Sequence, residues 1–242
     1  ISQDSTLFQR HDEFFTQLWA ESGVVDHFDD LVKRRETLFA YSCRAHLTGE
    51  LKEGDRIPGM YGWTVIETPG HAQSHISLYH EKDGILLAGD HLIKHISPNP
   101  ILEPPYIGEK ERPQPLLQYR ASTKKCIQIP VSTVFSGHGE EITNVAQLIT
   151  TQQRLQEQRA WKVREIVKDG AKTAYDICKK LFPKAYKTEM FLTMSETIGQ
   201  LDYLISIGEV KAQKTGPQVT YTTTNWSSVH SKCLWTLSPQ SQ

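Results

Sequence analysis

The chain has 242 residues, of which 38% are hydrophobic and 23% charged, and its formal net charge is −1. These values are typical of a globular protein with one large domain, or one domain plus a small one. The low net charge argues against an overall field that attracts nucleic acid or anionic lipid. No apolar run approaches the roughly 20 residues that a membrane-spanning helix needs.

The cysteines indicate a reducing environment. Four cysteines lie far apart in the sequence, and no two of them form a C-x-x-C pair. This spacing argues against a disulfide-dense scaffold and against a four-cysteine zinc site. No basic segment followed by an apolar one is visible at the N-terminus, so no secretory signal is recognised. We therefore expect a cytoplasmic protein without a membrane partner.

The N-terminal part predicts two charged, amphipathic helices. Apolar and aromatic residues recur at helical spacing over residues 8–20, and Gly23 ends this run. Residues 25–43 predict a second helix. We expect both helices to cover a hydrophobic core, and a lid over a substrate site is the alternative.

Short strands and turns follow. After a glycine-rich stretch, strands are predicted at residues 63–67, 76–79 and 85–88, and Asp83-Gly84 predicts a hairpin between the last two. Residues 97–115 contain six prolines and predict a long loop, which is usually functional when it lies beside candidate ligands. A helix at 116–128 and a strand at 131–135 complete this part.

The C-terminal part predicts a compact helical module. Helices are expected over residues 145–168, 174–181 and 188–206, with Thr173 as the N-cap of the second. Two strands, 209–213 and 218–222, then pair across Thr215-Gly216-Pro217. Three helices followed by a hairpin are typical of a winged-helix module, a variant of the helix-turn-helix. The serine-rich tail, residues 226–242, is predicted to be flexible.

Three candidate metal ligands occur in the same local setting. His71, Asp90 and His138 each follow an apolar, β-prone run that stops at a glycine-marked turn. Loops at strand ends converge on one rim of a sheet, so we expect the three side chains to meet there. Two imidazoles and a carboxylate suit Zn²⁺, Mn²⁺ or Fe, and the carboxylate can bridge two ions. Singly, each residue is an ordinary turn residue, but the combination is specific.

These motifs resemble the metallo-β-lactamase superfamily. The resemblance lies in Thr-Pro-Gly-His71-(three residues)-His75, Ala-Gly-Asp90 and Ser-Gly-His138-Gly, and covers roughly residues 45–225. The nearest branch is the glyoxalase II-like hydrolases with a C-terminal winged-helix extension. The resemblance implies an α+β fold, an αββα sandwich with two metal ions, zinc above all, at the sheet rim. It further implies that His71 binds the first ion, Asp90 bridges both, and His138 binds the second.

The chain departs from this family in one respect. The motif His-x-His-x-Asp-His, which supplies two ligands to each ion, is absent from among the ten histidines, and several N-terminal strands are missing too. A truncated fragment, an N-terminal part that is disordered or separate, and a degenerate relative are the three explanations. Because the chain begins at Ile1 in the middle of the expected fold, we favour a missing N-terminal piece.

Several site predictions follow from the incomplete motif. We expect at most half of a dinuclear site, with weak or no metal binding, and we assign no catalytic base because the nucleophile-orienting aspartate would lie in the missing segment. His75 is expected to orient a ligand residue, or else to contact substrate. His91 and His95 either line the pocket or face solvent. The predicted domains are 1–145, a partial αββα sandwich, and 146–225, a winged helix.

Three functions compete. The first is hydrolysis of a thioester, lactone or similar ester by a metal-bound hydroxide, with the chain as it stands inactive. The second is a phosphodiesterase or RNase of the same fold, and the third is a non-catalytic scaffold whose winged helix binds nucleic acid or a partner. Residues 190–207 contain no cation and are expected to expose Gln200 and Asp202, which argues against DNA reading. Four lysines, 179, 180, 184 and 187, are interpreted as a solvated face. We expect the module to pack on the sandwich, shape the pocket or support a homodimer.

Overall fold

The computed structural model describes residues 5–25 and 48–224. The helix predicted over 25–43, apart from its first residue, and the tail after residue 225 lie outside these ranges. The helices are α1 Ser5–Glu21, α2 Pro115–Gln128, α3 Val145–Lys168, α4 Ala174–Leu181 and α5 Met190–Ser206. The strands are β1 Trp63–Glu67, β2 Ile76–His80, β3 Ile85–Gly89, β4 Thr133–Ser136, β5 Lys172–Thr173, β6 Val210–Thr215 and β7 Gln218–Thr223.

The first four strands form one sheet in the order β1-β2-β3-β4. The pairs β1–β2 and β2–β3 are antiparallel, whereas β4 runs parallel to β3. The predicted β2–β3 hairpin is confirmed, and Gly84 adopts φ +63° in its turn, a conformation that glycine reaches without steric cost. Strands β1, β3 and β4 therefore all point the same way, and their C-terminal ends lie on one rim.

The two faces of this sheet differ in how far they are covered. Tyr79, Leu86 and Val134 pack with Cys126 of α2 and Ile149 of α3 in a buried cluster, the sheet core. On the opposite face, the paired registers align a second row, Val65, Leu78, Leu87 and Phe135. Exposure along this row rises from 1% at Val65 to 44% at Phe135.

The implied two-sheet sandwich is therefore represented here by one sheet. The other sheet formed by the described residues has the order β5-β7-β6 and belongs to the C-terminal part. The fold is mixed α+β, as expected, with helices covering one face of the four-stranded sheet. A half-exposed apolar row on the other face is the pattern of a surface that packs against a further layer.

The C-terminal part forms a second buried cluster, the helical core. It contains Val163 of α3, Ile177 of α4, and Met194 and Leu201 of α5. The predicted bounds of α3 and α4 are confirmed, and Thr173 caps α4 by accepting a hydrogen bond from the Asp176 amide at 3.2 Å. The predicted hairpin is confirmed as β6–β7.

Helix α1 belongs to this helical core and not to the sheet. Phe15 lies 5.5 Å from Trp19 and 5.3 Å from Phe191 between ring centroids. Helix α3 links the two cores because Ile149, in its first half, is buried in the sheet core while Val163 is buried in the helical core. The cores are thus connected by one continuous helix.

The prediction that Gln200 and Asp202 are exposed is wrong. Both are buried. Gln200 donates to Glu196 at 2.9 Å, and Glu196 in turn accepts from Arg159 of α3 at 2.6 Å. Gln200 and Asp202 lie on different sides of α5, because residues two positions apart along a helix are about 200° apart around its axis. Polar groups of other elements cover both sides, Arg159 at Glu196 and Arg112 at Asp202. No helix in the described ranges combines the length and apolar character that a bilayer span requires.

Candidate metal centre

Asp90 lies between His71 and His138 at the sheet rim. Its Oδ2 is 3.7 Å from His71 Nε2, and its Oδ1 is 3.5 Å from His138 Nε2. The three side chains follow β1, β3 and β4, whose C-terminal ends share this rim. The structure therefore brings together the three residues that the sequence singled out, with one carboxylate oxygen facing each histidine.

The spacing fits two ions that share a carboxylate. Two ligand atoms that each lie about 2.1 Å from a tetrahedral ion are roughly 3.4 Å apart, which is close to both observed separations. Each position has only two donors, however, and a closed zinc site has four. Within the described ranges, no group of three His, Cys, Asp or Glu side chains is arranged to hold one ion. These residues thus fit part of a dinuclear site.

His71 is held in a defined orientation. Its Nδ1 lies 3.1 Å from the carbonyl oxygen of Asn99. Because a carbonyl oxygen only accepts hydrogen bonds, Nδ1 carries the proton in the neutral ring and Nε2 keeps its lone pair. The lone pair lies on the side of Asp90, which is the arrangement that a metal-binding histidine requires.

Two glycines allow the rim to close around Asp90. The Gly137 amide donates to the Gly89 carbonyl at 2.7 Å, and the β3–β4 register is irregular between Leu87 and Gly89. A Cβ atom on Gly137 would collide with Oδ1 of Asp90. Gly137 is therefore required by the close approach of the carboxylate, which explains the glycine that precedes His138.

His75 lies beneath His71, with ring centroids 6.4 Å apart. Its Nδ1 is 2.8 Å from Oγ1 of Thr68, which in turn is 2.9 Å from the Ser77 hydroxyl. Burial lowers the pKa of His75 and the nearby His71 lowers it further, while Asp90 partly opposes both. His75 supports His71 by ring packing, since its hydrogen bond goes to Thr68 and not to a candidate ligand.

His91 is fully buried, which excludes the solvent-facing alternative. Its ring packs 5.2 Å from Tyr119 and 6.0 Å from His75, and neither ring nitrogen has a hydrogen-bond partner of good geometry among the described residues. Burial lowers the pKa of His91 to about 3, and His75 adds to this, while the Ser122 backbone weakly opposes it. The turn after β3 directs the ring inward, because the His91 amide bonds to the Ala88 carbonyl at 2.9 Å.

The remaining predicted residue, His95, is exposed. Sequence reasoning also missed Glu103, in the proline-rich loop. Its Oε2 accepts from the Gln73 amide at 2.5 Å. Burial raises the pKa of Glu103, while the Gln73 bond and the nearby His71 lower it. The loop itself was predicted to be functional, but nothing in its sequence separates Glu103 from the other acidic residues.

The family relationship agrees with this geometry. The profile of the metallo-beta-lactamase superfamily matches residues 9–138, more than half of the chain. The chain belongs to the metallo-β-lactamase superfamily.

Longer relatives resemble most of the chain. It is 43% identical over 204 residues to the probable metallo-hydrolase YqjP of Bacillus subtilis strain 168, covering 84% of this chain and 64% of that protein. A metallo-beta-lactamase family protein of Thermus thermophilus superposes with a TM-score of 0.69 at 27% identity, over 88% of this chain and 64% of the other. A beta-lactamase domain protein of Burkholderia ambifaria superposes with a TM-score of 0.67 at 21% identity, over 86% of this chain and 59% of the other. This similarity supports the fold alone. The chain thus spans just under two thirds of the relatives it matches.

Proposed function

We propose that the protein is a metal-dependent hydrolase. The observation that carries the proposal is the shared Asp90 carboxylate, with His71 and His138 at 3.7 and 3.5 Å from its two oxygens. This arrangement fits two ions that share one carboxylate, with one histidine as a ligand of each ion. His71 Nε2, both Asp90 oxygens and His138 Nε2 would hold the ions, with Zn²⁺ first and Mn²⁺ or Fe as alternatives.

Each residue has a separate task in this proposal. Bound ions would supply a hydroxide at neutral pH and polarise the substrate carbonyl. Asp90 balances positive charge at the rim, and His71 presents its lone pair because Asn99 holds the proton on the other nitrogen. His75, packed beneath His71, limits the movement of that ring. No residue of the described ranges is assigned as the base that orients the nucleophile.

The charge around the rim favours a carboxylic ester over a phosphodiester. Glu103 lies close enough to His71 for the two to influence each other's charge. Lys94 is already paired with Glu140 at 2.6 Å. A phosphodiester carries a negative charge that Glu103 would repel, whereas a thioester, lactone or simple ester is neutral at the reacting centre. We therefore propose such an ester as the substrate class, in the manner of the glyoxalase II-like branch.

The C-terminal part is proposed to be a winged-helix domain over residues 146–225, following the partial sandwich of residues 1–145. The order of three helices and a hairpin supports it. Its third helix, α5, is buried along most of its length, so we do not propose that it reads nucleic acid. Packing against the sheet domain, in a cytoplasmic protein, is the role we favour.

The donors that complete the site are proposed to come from a His-x-His-x-Asp-His segment. This follows from the two donors per ion position and from the 64% of the Bacillus relative that the chain spans. Sequencing the reading frame upstream of Ile1 tests the idea directly. An uninterrupted frame without the motif would remove the support for hydrolysis by this protein.

The function is tested by metal analysis and by substrate assays. The protein encoded by the complete reading frame is purified, its Zn, Mn and Fe contents are measured, and thioester, lactone and bis-phosphodiester substrates are compared. We expect about two ions per chain and ester turnover that Asp90→Asn abolishes. Turnover of the phosphodiester alone would overturn the substrate class, and a metal-free, inactive protein would overturn the function.

A further inference from the structure

The carbonyl that orients His71 belongs to an unusually constrained segment, Pro98-Asn99-Pro100. Both prolines are buried and Asn99 is half-buried. The proline rings fix their own φ angles, and a residue that precedes proline is restricted as well. The Asn99 carbonyl therefore has little freedom to follow His71 if the ring moves, so the position of the segment decides the position of the ring.

This segment is attached to helix α5 of the C-terminal part. The Asn99 side-chain amide, Nδ2, donates to the Leu192 carbonyl at 2.9 Å. Its Oδ1 is buried without a partner, so among the described residues the bond to Leu192 is the anchor of this side chain. Three residues further on, the Leu102 amide donates to the Ser195 hydroxyl at 3.3 Å. Both bonds bring α5 to the loop that carries the carbonyl.

Close packing reinforces the attachment. Gly199 of α5 faces the loop, and a Cβ atom there would lie 3.1 Å from Leu116 Cβ and 3.7 Å from Pro100 Cγ. Glycine is unfavourable inside a helix relative to alanine, so its presence in α5 reflects this close approach. Arg112 and Asp202 pair at 2.6 and 2.8 Å where the loop ends. The loop is thus held on α5 from residue 99 to residue 112.

We infer that helix α5 orients His71 through Asn99, which makes Asn99 a positioning residue of the metal centre. The C-terminal part is then a structural component of the site and not an independent appendage. The consequence for metal binding rests on the proposed function. The orientation of the His71 ring is independent of the proposed function, because it is a property of this chain with or without an ion.

Following the His71 ring directly tests the inference. Histidine side chains are labelled with ¹⁵N in the 242-residue chain, and the Nδ1 proton of His71 is monitored at mildly alkaline pH in the absence of metal. We expect this proton to exchange slowly in the unchanged chain. In Asn99→Ala, and in the similarly sized Asn99→Asp, which cannot donate to Leu192, we expect exchange at least about tenfold faster and a mixture of the two ring tautomers.

A matched control separates this effect from a general loosening of the fold. Gln153 is also a half-buried amide, and its Nε2 donates across elements to Thr123 at 3.1 Å. Gln153→Ala should leave the His71 proton unchanged. An unchanged His71 proton in a folded Asn99→Ala or Asn99→Asp chain would overturn the inference. An equal change in Gln153→Ala would do the same.

A second measurement links the ring to the ion. Zn²⁺ affinity is determined by competition with a chelator, and Asn99→Ala should bind about tenfold more weakly, at the lower end of the losses seen when support for a ligand is removed. Equal affinity would show that α5 positions the ring without serving metal binding, which overturns the role at the metal centre. If neither protein binds Zn²⁺ when it is made from the complete reading frame, the proposed function fails, while the exchange data still decide whether α5 orients His71.

Discussion

The two histidines that flank Asp90 are held in very different ways. The side chain of His71 is 25% exposed. Its Nδ1 donates a hydrogen bond to the Asn99 carbonyl, and its ring packs on His75. His138 is 74% exposed and follows β4, at the open side of the sheet. The same carboxylate thus faces one ring that the body of the protein fixes and one that sits on a surface loop.

This difference indicates an order of assembly. A ligand that is already in position loses little freedom when an ion binds, whereas a surface ring must be immobilised first. We expect the first ion to bind at the His71 side of Asp90 and the second to bind more weakly at the His138 side. The comparison also shows that His138, and not His71, is the ligand residue that needs further contacts to hold its ring in place.

Loss of the shared carboxylate should have the largest effect. Asp90→Asn removes the negative charge and one strong donor from both positions, so we expect Zn²⁺ affinity to fall by more than about a hundredfold at each. Isothermal titration calorimetry measures the Zn²⁺ affinity of both proteins. Asp83→Asn is the control. Asp83 lies in the β2–β3 turn, away from the rim, and its Oδ2 is 3.0 Å from Nδ1 of His80. Affinity that survives in Asp90→Asn would show that the carboxylate is not shared.

The loop that supports His71 through Asn99 and the loop that carries His138 should differ in their contribution to folding. Burial lowers the pKa of Arg112, but its bonds to Asp202 outweigh this and raise it overall, whereas burial raises the pKa of Asp202 and the bond to Arg112 partly offsets this. The guanidinium faces both carboxylate oxygens at 2.6 and 2.8 Å, which is the geometry of a charged pair. Asp202→Ala leaves the charge of Arg112 uncompensated, with the Pro113 carbonyl as the remaining partner of its guanidinium among the described residues. We expect a loss of about 3–5 kcal/mol in urea unfolding. Lys94→Ala, which breaks the exposed pair beside His138, should not change the free energy of unfolding measurably. Equal losses would remove the contrast between the two loops.

Buried His91 should make the His71 side sensitive to acid. Its pKa is about 3 in the folded protein and about 6.5 in an unfolded chain. Between these values the unfolded chain binds one more proton, so stability is full above about pH 6.5 and falls as the pH drops, by up to about 1.4 kcal/mol per pH unit. His75 faces the same ring, and burial lowers its pKa as well.

The variant His91→Phe isolates this contribution. Phenylalanine keeps the ring contact with Tyr119 but does not titrate. Urea unfolding at about pH 7.5 and about pH 5 should show a smaller acid-induced loss for the variant, by about 2 kcal/mol, than for the unchanged chain. Identical pH dependence in both chains would mean that the ring is not buried in its neutral form.

The smallest expected effect compares the two histidines themselves without metal. His71→Ala removes the hydrogen bond to Asn99 and leaves that carbonyl half-buried, which should cost about 1 kcal/mol of unfolding free energy. His138→Ala removes an exposed side chain and should be neutral. Thermal unfolding in the presence of a chelator measures both. A larger loss in His138→Ala would reverse the comparison.

Much of this architecture follows from local sequence signals. The Asp83-Gly84 turn, the Thr173 cap and the glycines before Asp90 and His138 each fix the chain within a few residues, and the corresponding elements are where these signals predict them. The rim also follows, because strand direction alone brings β1, β3 and β4 to one edge.

Contacts between distant residues could not be predicted in the same way. The burial of His91 depends on Tyr119, and that of Asp202 on Arg112, 90 positions away. Helical periodicity places Gln200 and Asp202 on different sides of α5, but it does not reveal that α3 brings Arg159 to one side and a loop brings Arg112 to the other. The support of His71 by Asn99 likewise depends on where a proline-rich loop crosses α5, which no local pattern encodes.

The most direct test of the shared site is anomalous diffraction at the zinc absorption edge from crystals grown with Zn²⁺. We predict a peak about 2.0–2.2 Å from both His71 Nε2 and Asp90. A second, weaker peak is expected between Asp90 and His138 Nε2. A single peak that avoids Asp90, or full occupancy at His138 with none at His71, would contradict the shared site.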